Sequence, residues 1–275
     1  MQNVFSHSET QKPDGKSLVL SLAKGFRILE IFDGTAPEMT LTEIAVKAEL
    51  DPGTAHRIIK TLVMLGYLKQ VPGGKRYHLG LKVLDLGFNA LARMDLRDSA
   101  RPILRSLVGQ VSEAASIGVI EGSDIVYIER VQANLVRLGV SVRVGSRIPV
   151  YCTAIGHSIL AHMPLERRLE ILNLRERVKL TPRTPVTIPD IEERLALVRS
   201  RGYALSDQDT VNGLRVLAAP ILDADGHPFA AVSVASPSVA GSVEDFVSNA
   251  AGPVMRAARD LGRLLSVSGA SSAMS

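Results

Sequence analysis

The chain has 275 residues, 46% hydrophobic and 22% charged, with a formal net charge of +4 and a single cysteine. Such a chain can bury a substantial core in one large or two ordinary domains, and one cysteine excludes an internal disulfide framework and suits a reducing cytoplasm. No apolar run approaches the roughly 20 residues that span a bilayer, which excludes a membrane-spanning helix, and the modest positive balance fits contact with a polyanion without demanding it.

Residues 1–17 lack the basic and apolar regions of a secretory signal and read as a flexible lead-in. Residues 21–32, SLAKGFRILEIF, form the first helix, with Ser21 as N-cap and Leu22, Phe26, Ile28, Leu29 and Phe32 available to a core. In the next pattern Leu41, Ile44, Ala45 and Ala48 recur at i, i+3, i+4, i+7, the spacing of an amphipathic helix. Thr40 or Thr42 caps it, and Glu43 stands three residues after Thr40 in a capping-box arrangement. A second short helix carries Ile58, Ile59, Leu62, Val63 and Leu65 as its stripe and stops at Gly66. Its first turn, residues 53–57, holds small and hydrogen-bonding side chains in place of apolar ones, as a helix entering a major groove requires. Residues 67–71 and 76–79, joined through Pro72-Gly73-Gly74-Lys75, read as a hairpin. Helix, turn, helix and hairpin make a winged helix-turn-helix over residues 18–80.

Charge agrees with that pattern. From Pro52 to Leu84 there is no Asp or Glu, while Arg57, Lys60, Lys69, Lys75, Arg76 and Lys82 are all basic. A local patch of one sign favours a phosphate backbone through counterion release. Thr54, His56 and Arg57 are the groove-contacting candidates, Arg57 because its fork can pair with guanine. Lys60, Lys75 and Arg76 are phosphate candidates, and so is the backbone amide at Gly53 near the helix start. Ser21 and Thr42 are weaker ones.

Residues 81–95 follow as a linker helix in which Leu81, Leu84, Leu86, Phe88 and Leu91 present an apolar surface. The same helix of a second subunit is one partner for it, since operators are commonly read by two-fold dimers; its own C-terminal domain is the other. From residue 96 helices and strands alternate. Helices are expected over 98–112, 154–163, 165–174, 188–201 and 243–265, and strands over 115–119, 124–130, 136–144, 204–207, 216–222 and 229–236. Strands at both ends with helices between them give an α+β sensor domain on an antiparallel sheet over residues 96–266. Residues 267–275 read as a disordered tail.

Two other function classes fit the sequence less well. An enzyme would use Cys152 as nucleophile with His157 or His162 as base, yet Cys152 has no local signature and reads as a buried structural thiol. A metal sensor would need tight ligand spacing, which His56, His78, His157, His162 and His227 lack. Asp223 and Asp225 flank a turn before Gly226, where Asp serves the backbone. Neither metal nor cofactor is expected.

Over residues 18–266 the chain resembles the IclR-type bacterial transcription regulators. The matching stretches are SLAKGFRILEIF, LTEIAVKAELDPGTAHRIIKTLVMLGYLKQ, YHLGLKVLDLG, GSRIPVYCTAIG, RGYALSDQDTVNGLRVLAAPI and AAVSVASP, in the family's order. Within the family it is most similar to the Pca/Pob branch, whose members sense aromatic acids. The resemblance implies a GAF-like effector-binding domain, a homodimer or homotetramer, double-stranded operator DNA as partner and control of small-molecule catabolism. It also implies an effector pocket on the inner face of the sensor sheet, lined by Arg137, Val140, Ile148, Tyr151, Ala154, Ile155, Ser206, Val216 and Ser233, with Ala235 beside it. Members resembling glyoxylate sensors have Asp, Cys and Ser where this chain has Ser206, Val216 and Ala235. A small keto acid would lose those partners here, whereas an apolar wall suits a flat ring and an arginine suits its carboxylate. Arg137 is the first candidate for that arginine, with Arg130 and Arg147 as competitors.

Overall fold

The computed structural model describes residues 18–33, 35–92, 96–133 and 142–268. The chain divides between Arg93 and Met94 into two compact units.

The first unit holds α1 (Leu20–Glu30), β1 (Met39–Thr40), α2 (Leu41–Lys47), α3 (Pro52–Met64), β2 (Leu68–Gln70), β3 (Arg76–Leu79) and α4 (Lys82–Ala92). Ile28, Phe32, Ile44, Ala48, Ile59, Leu62 and Leu68 form its core. Thr40 and Glu43 close the capping box that starts α2. The start of α1 differs from the sequence expectation: Val19, not Ser21, is the N-cap and offers no side-chain hydrogen bond. Leu22 and Phe26 are exposed, as is Leu65 at the end of α3, so the apolar stripes of α1 and α3 are narrower than their composition. The hairpin gains a third strand, β1, which pairs with β3 through Met39 with Tyr77 and Thr40 with Arg76. Gly66 takes a left-handed φ of 82° after α3. A Cβ on Gly80 would fall 2.1 Å from the Gly66 carbonyl oxygen, so two glycines let the wing leave and return beside the helix end.

The second unit holds α5 (Leu96–Gln110), β4 (Ala114–Glu121), β5 (Asp124–Gln132), β6 (Arg147–Pro149), a 3-10 turn (Val150–Cys152), α6 (Ala154–Leu160), α7 (Leu165–Asn173), α8 (Ile188–Arg201), β7 (Ala204–Asp207), β8 (Leu214–Leu222), β9 (Pro228–Pro237) and α9 (Val243–Ser268). Its six strands form one antiparallel sheet in the order β6-β5-β4-β9-β8-β7. Helices α5 and α9 pack on one face and α6, backed by α8, on the other. Burial on both faces explains why β8 and β9 read as nearly continuous apolar runs instead of alternating ones. The expected strand over 136–144 is not formed at 142–144, and residues 136–141 lie outside the described residues, as do 1–17 and 269–275. Helix α9 runs to Ser268, two residues into the expected tail. The fold class is α+β, a winged helix-turn-helix followed by a sensor-type domain.

Candidate DNA interface and effector site

Helix α3 begins on Asp51, whose carboxylate accepts from the Thr54 N–H at 2.8 Å, with Pro52 in the first helical position. Ala55 and Ile59 turn inward, which leaves Gly53, His56, Arg57 and Lys60 exposed and Thr54 half-buried. Lys75 is exposed at the tip of the β2–β3 turn. Arg57, Lys60 and Lys75 have no carboxylate partner among the described residues. Two other basic residues are committed within the fold. Arg76 donates to the Glu38 carbonyl at 3.0 Å and lies 3.5 Å from Glu43, at the α2 capping box. Lys82 donates to the Leu65 carbonyl and lies over the Tyr67 ring. The available positive charge therefore lies along the exposed side of α3, at Arg57 and Lys60, and on the hairpin, at Lys75 and the exposed Lys69.

The turn before α3 places Glu49 at φ 54°, a left-handed conformation uncommon for a side chain with a Cβ. Only four residues, Ala48 to Asp51, separate α2 from α3.

The second group of candidates falls on one face of the large sheet, the face toward α6. A Cβ on Gly118 would touch Ile125 and Ile155, which fixes that face. Cross-strand register then aligns Ser206, Val216, Ala235 and Ala114 in one row. The next row is Ala204, Ala218, Ser233, Ser116 and Arg130. Ile148, opposite Ile125, and the buried residues Tyr151, Ala154 and Ile155 pack on the same face. Eight of the ten predicted lining residues are thus brought together, and Arg137 and Val140 lie outside the described residues.

Three of these placements change the expected chemistry. Tyr151 donates its hydroxyl to the Val178 carbonyl at 2.7 Å and accepts from the Val178 N–H at 3.1 Å, so its polar end is taken by the chain. The Ser206 hydroxyl helps hold the charge of the Asp209 carboxylate, which Arg194 pairs with at 2.5 Å. Burial nevertheless pushes the Asp209 carboxyl above its ordinary value. Arg147 pairs with Glu121 at 2.7 Å, both side chains exposed, and so stands away from the carboxylate role. Arg130 behaves differently: its Nη1 donates to Ser116 Oγ at 2.8 Å, and its Nε is buried with no hydrogen-bond partner.

Cys152 is fully buried, and burial pushes its thiol up to about 12, which removes the thiolate that nucleophilic chemistry requires. His157 beside it is buried with Nε2 at 2.7 Å from the Tyr151 carbonyl. In the β8–β9 turn Asp223 Oδ1 accepts from the N–H groups of Asp225 and His227, the backbone role expected of it. Ligand atoms of Asp223, Asp225 and His227 lie within 4.8 Å of one another, a grouping that histidine spacing did not reveal.

Sequence reasoning missed Ser116 and Asp51. Asp51 carried a readable signal, since it directly precedes Pro52 at a helix start. Ser116 carried none, because its neighbours across the sheet come from residues 14 and 117 positions away.

Two family descriptions match the chain: the IclR helix-turn-helix domain over residues 21–72, and the bacterial transcriptional regulator IclR C-terminal domain over residues 88–263. The chain belongs to the IclR family. Among its IclR relatives, the Pca regulon regulatory protein of Pseudomonas putida is 36% identical over 231 residues, covering 82% of this chain and 76% of the relative. The Thermotoga maritima IclR structure superposes with a TM-score of 0.76 at 27% identity, over 90% of this chain and 99% of that one. An IclR homologue from Microbacterium hydrocarbonoxydans, crystallised with 4-hydroxybenzoate, gives the same TM-score at 26% identity, over 89% and 99%. The protein is a DNA-binding transcriptional regulator, as its relatives are named. Among the described residues no helix is long and apolar enough to cross a membrane.

Proposed function

We propose that this IclR-family regulator senses an aromatic or similarly hydrophobic carboxylate and controls an operon for its catabolism. The observation that carries the reading is the composition of the α6-facing sheet surface. Ile148, Ile155 and Val216 supply an apolar wall, Ala114, Ala218 and Ala235 keep the sheet floor shallow, and the polar groups are few. Such a surface suits a flat ring with one polar end. A relative named for the Pca regulon and another crystallised with 4-hydroxybenzoate point the same way.

On the DNA side, Arg57, His56 and Thr54 read base edges while Lys60, Lys75 and the Gly53 amide hold phosphates; Arg76 serves mainly as a partner of Glu43. The regulator works as a homo-oligomer in the cytoplasm. Leu81, Leu84 and Leu86 at and along α4 are 75%, 51% and 49% exposed, an apolar surface that a second copy would cover. Effector binding shifts the population of sensor conformations and, through the 81–95 linker, the spacing of two DNA heads.

The test is a thermal-shift screen against aromatic and short aliphatic carboxylates. A saturable rise with 4-hydroxybenzoate or protocatechuate supports the reading, because a ligand of the native state alone raises its stability. A rise with short keto acids only refutes the aromatic assignment and leaves the regulator in place.

A further inference from the structure

Arg130 is set into the sensor sheet in an unusual way for a half-buried cation. It sits on β5 directly opposite Ser116 of β4, which is itself opposite Ser233 of β9, so the three share one row of the α6-facing surface. Ser116 and Ser233 are both buried, and Ser233 Oγ donates to the Ser116 carbonyl at 3.5 Å. The guanidinium uses Nη1 on Ser116 Oγ. Its Nε is buried without a partner, and Nη2 makes no hydrogen bond among the described residues. Nε and Nη2 form the side-on edge of the guanidinium, the one that grips a carboxylate through two parallel hydrogen bonds.

Most other half-buried arginines of this unit are completed by carboxylates, and Arg177 and Arg201 by the Val186, Leu172 and Tyr203 carbonyls. Arg168 pairs with Glu192 at 2.6 Å, Arg175 with Asp124 at 2.6 Å, Arg194 with Asp209 at 2.5 Å and Arg215 with Asp207 at 2.8 Å. Arg130 has none among the described residues. A half-buried cation with an unpaired edge is costly unless an anion completes it. Besides the two serines, the register places Ala114, Ala235 and Gln132 in the next row of the face, with Ile125 and Ile148 beyond Tyr127, so the surroundings on this face are largely small or apolar and, among the described residues, hold no carboxylate. An anion delivered there comes attached to an apolar body.

We propose that the Arg130 Nε–Nη2 edge, oriented by Ser116 and with Ser233 beside it, is the carboxylate-binding site of the sensor domain. The proposal rests on the reading that the effector is a carboxylate on the α6-facing surface, and it names the group that holds it. Arg130 thereby selects acids over neutral analogues of the same shape.

The experiment is calorimetric titration of the full-length protein and of Arg130→Met and Arg130→Gln with 4-hydroxybenzoate and, separately, with 4-hydroxybenzamide. The expected wild-type preference for the acid is about tenfold or more, the worth of a charge-assisted pair. Arg130→Met should lose that preference by weakening the acid alone. Arg130→Gln, which keeps a donor toward Ser116, secures the comparison if the methionine variant folds poorly, and Ser116→Ala should show a smaller loss of the same kind. A variant that binds acid as wild type does, or loses acid and amide equally, overturns the proposal. If the wild type binds neither aromatic compound but binds pyruvate, the aromatic reading falls, and pyruvate against pyruvamide then decides Arg130 by the same criterion. A wild type that binds no carboxylate overturns both.

Discussion

Tyr151 and Val178 bond each other twice, phenol to carbonyl at 2.7 Å and amide to phenol at 3.1 Å. The bond fastens residues 174–187, which form no regular element, across the 3-10 turn that precedes α6. Arg175 on Asp124 and the Thr181 and Thr184 hydroxyls on the Gln208 and Asp209 carbonyls fasten the same segment elsewhere. Tyr151→Phe should therefore act on stability and not on ligand affinity. The expected loss is about 1 kcal/mol, since water can reach half-exposed Val178. Denaturant melts would show it, while the affinity for 4-hydroxybenzoate changes by less than about threefold. A tenfold loss of affinity would mean that the hydroxyl meets the ligand.

Gly156 lies in a wholly buried helix, and a Cβ there would fall 2.1 Å from the Val150 carbonyl oxygen and 2.8 Å from Thr153 Oγ1. Gly156→Ala is expected to cost roughly 3 kcal/mol, because neither the helix nor the turn has free space to move into. Gly25→Ala is the control. Its nearest neighbour would be Ile58 at 3.9 Å, and the gain in helix propensity should stabilise by about 0.5–1 kcal/mol. Urea unfolding of the two variants gives opposite signs if the packing is as described.

Burial pushes His157 down to about 4, against the opposing hydrogen bond to the Tyr151 carbonyl. Between that value and the ordinary 6.5 the unfolded chain carries a proton that the folded chain does not. Stability therefore stands at its full value above about pH 6.5 and falls as the pH drops toward 4, by about 3 kcal/mol for this group alone. Urea midpoints at pH 7, 5.5 and 4.5 measure the slope. His157→Gln should flatten it, and an unchanged slope in that variant would assign the acid sensitivity to other groups.

Lys60→Ala and Lys75→Ala should each lower the salt dependence of operator binding by about one counterion while leaving sequence preference intact. Arg57→Ala should cost about 1–3 kcal/mol on the cognate site and relax its sequence preference. Arg76→Ala should change the salt slope less than Lys75→Ala, because Arg76 is occupied by Glu38 and Glu43. Fluorescence anisotropy across a salt series separates the three behaviours.

The winged head was legible because its signals are local. Thr40 and Glu43 are three residues apart, and Gly66 follows the last turn of α3. β1 was not legible: two residues carry no strand periodicity, and only pairing with β3 makes them one. The failed Ser21 cap has a similar origin, since α1 begins at Leu20 and leaves Ser21 inside the helix. In the sensor unit β7 and α8 fell where periodicity placed them, because Gly202, left-handed at φ 84°, marks the boundary between them. The face residues followed from family resemblance, but what each does depended on partners from distant strands. Ser206 meets Asp209, and Arg130 meets Ser116, relationships that exist only once register is set.

A carboxylate at the sensor sheet is expected to change the affinity of the head for DNA. The most direct measurement is anisotropy titration of the full chain on DNA from upstream of its own gene, with and without saturating 4-hydroxybenzoate. Specific binding is expected, with a Kd that shifts by about fivefold or more with the acid, a typical coupling between sites, in wild type but not in Arg130→Met. Specific binding that no carboxylate, aromatic or aliphatic, alters would contradict it.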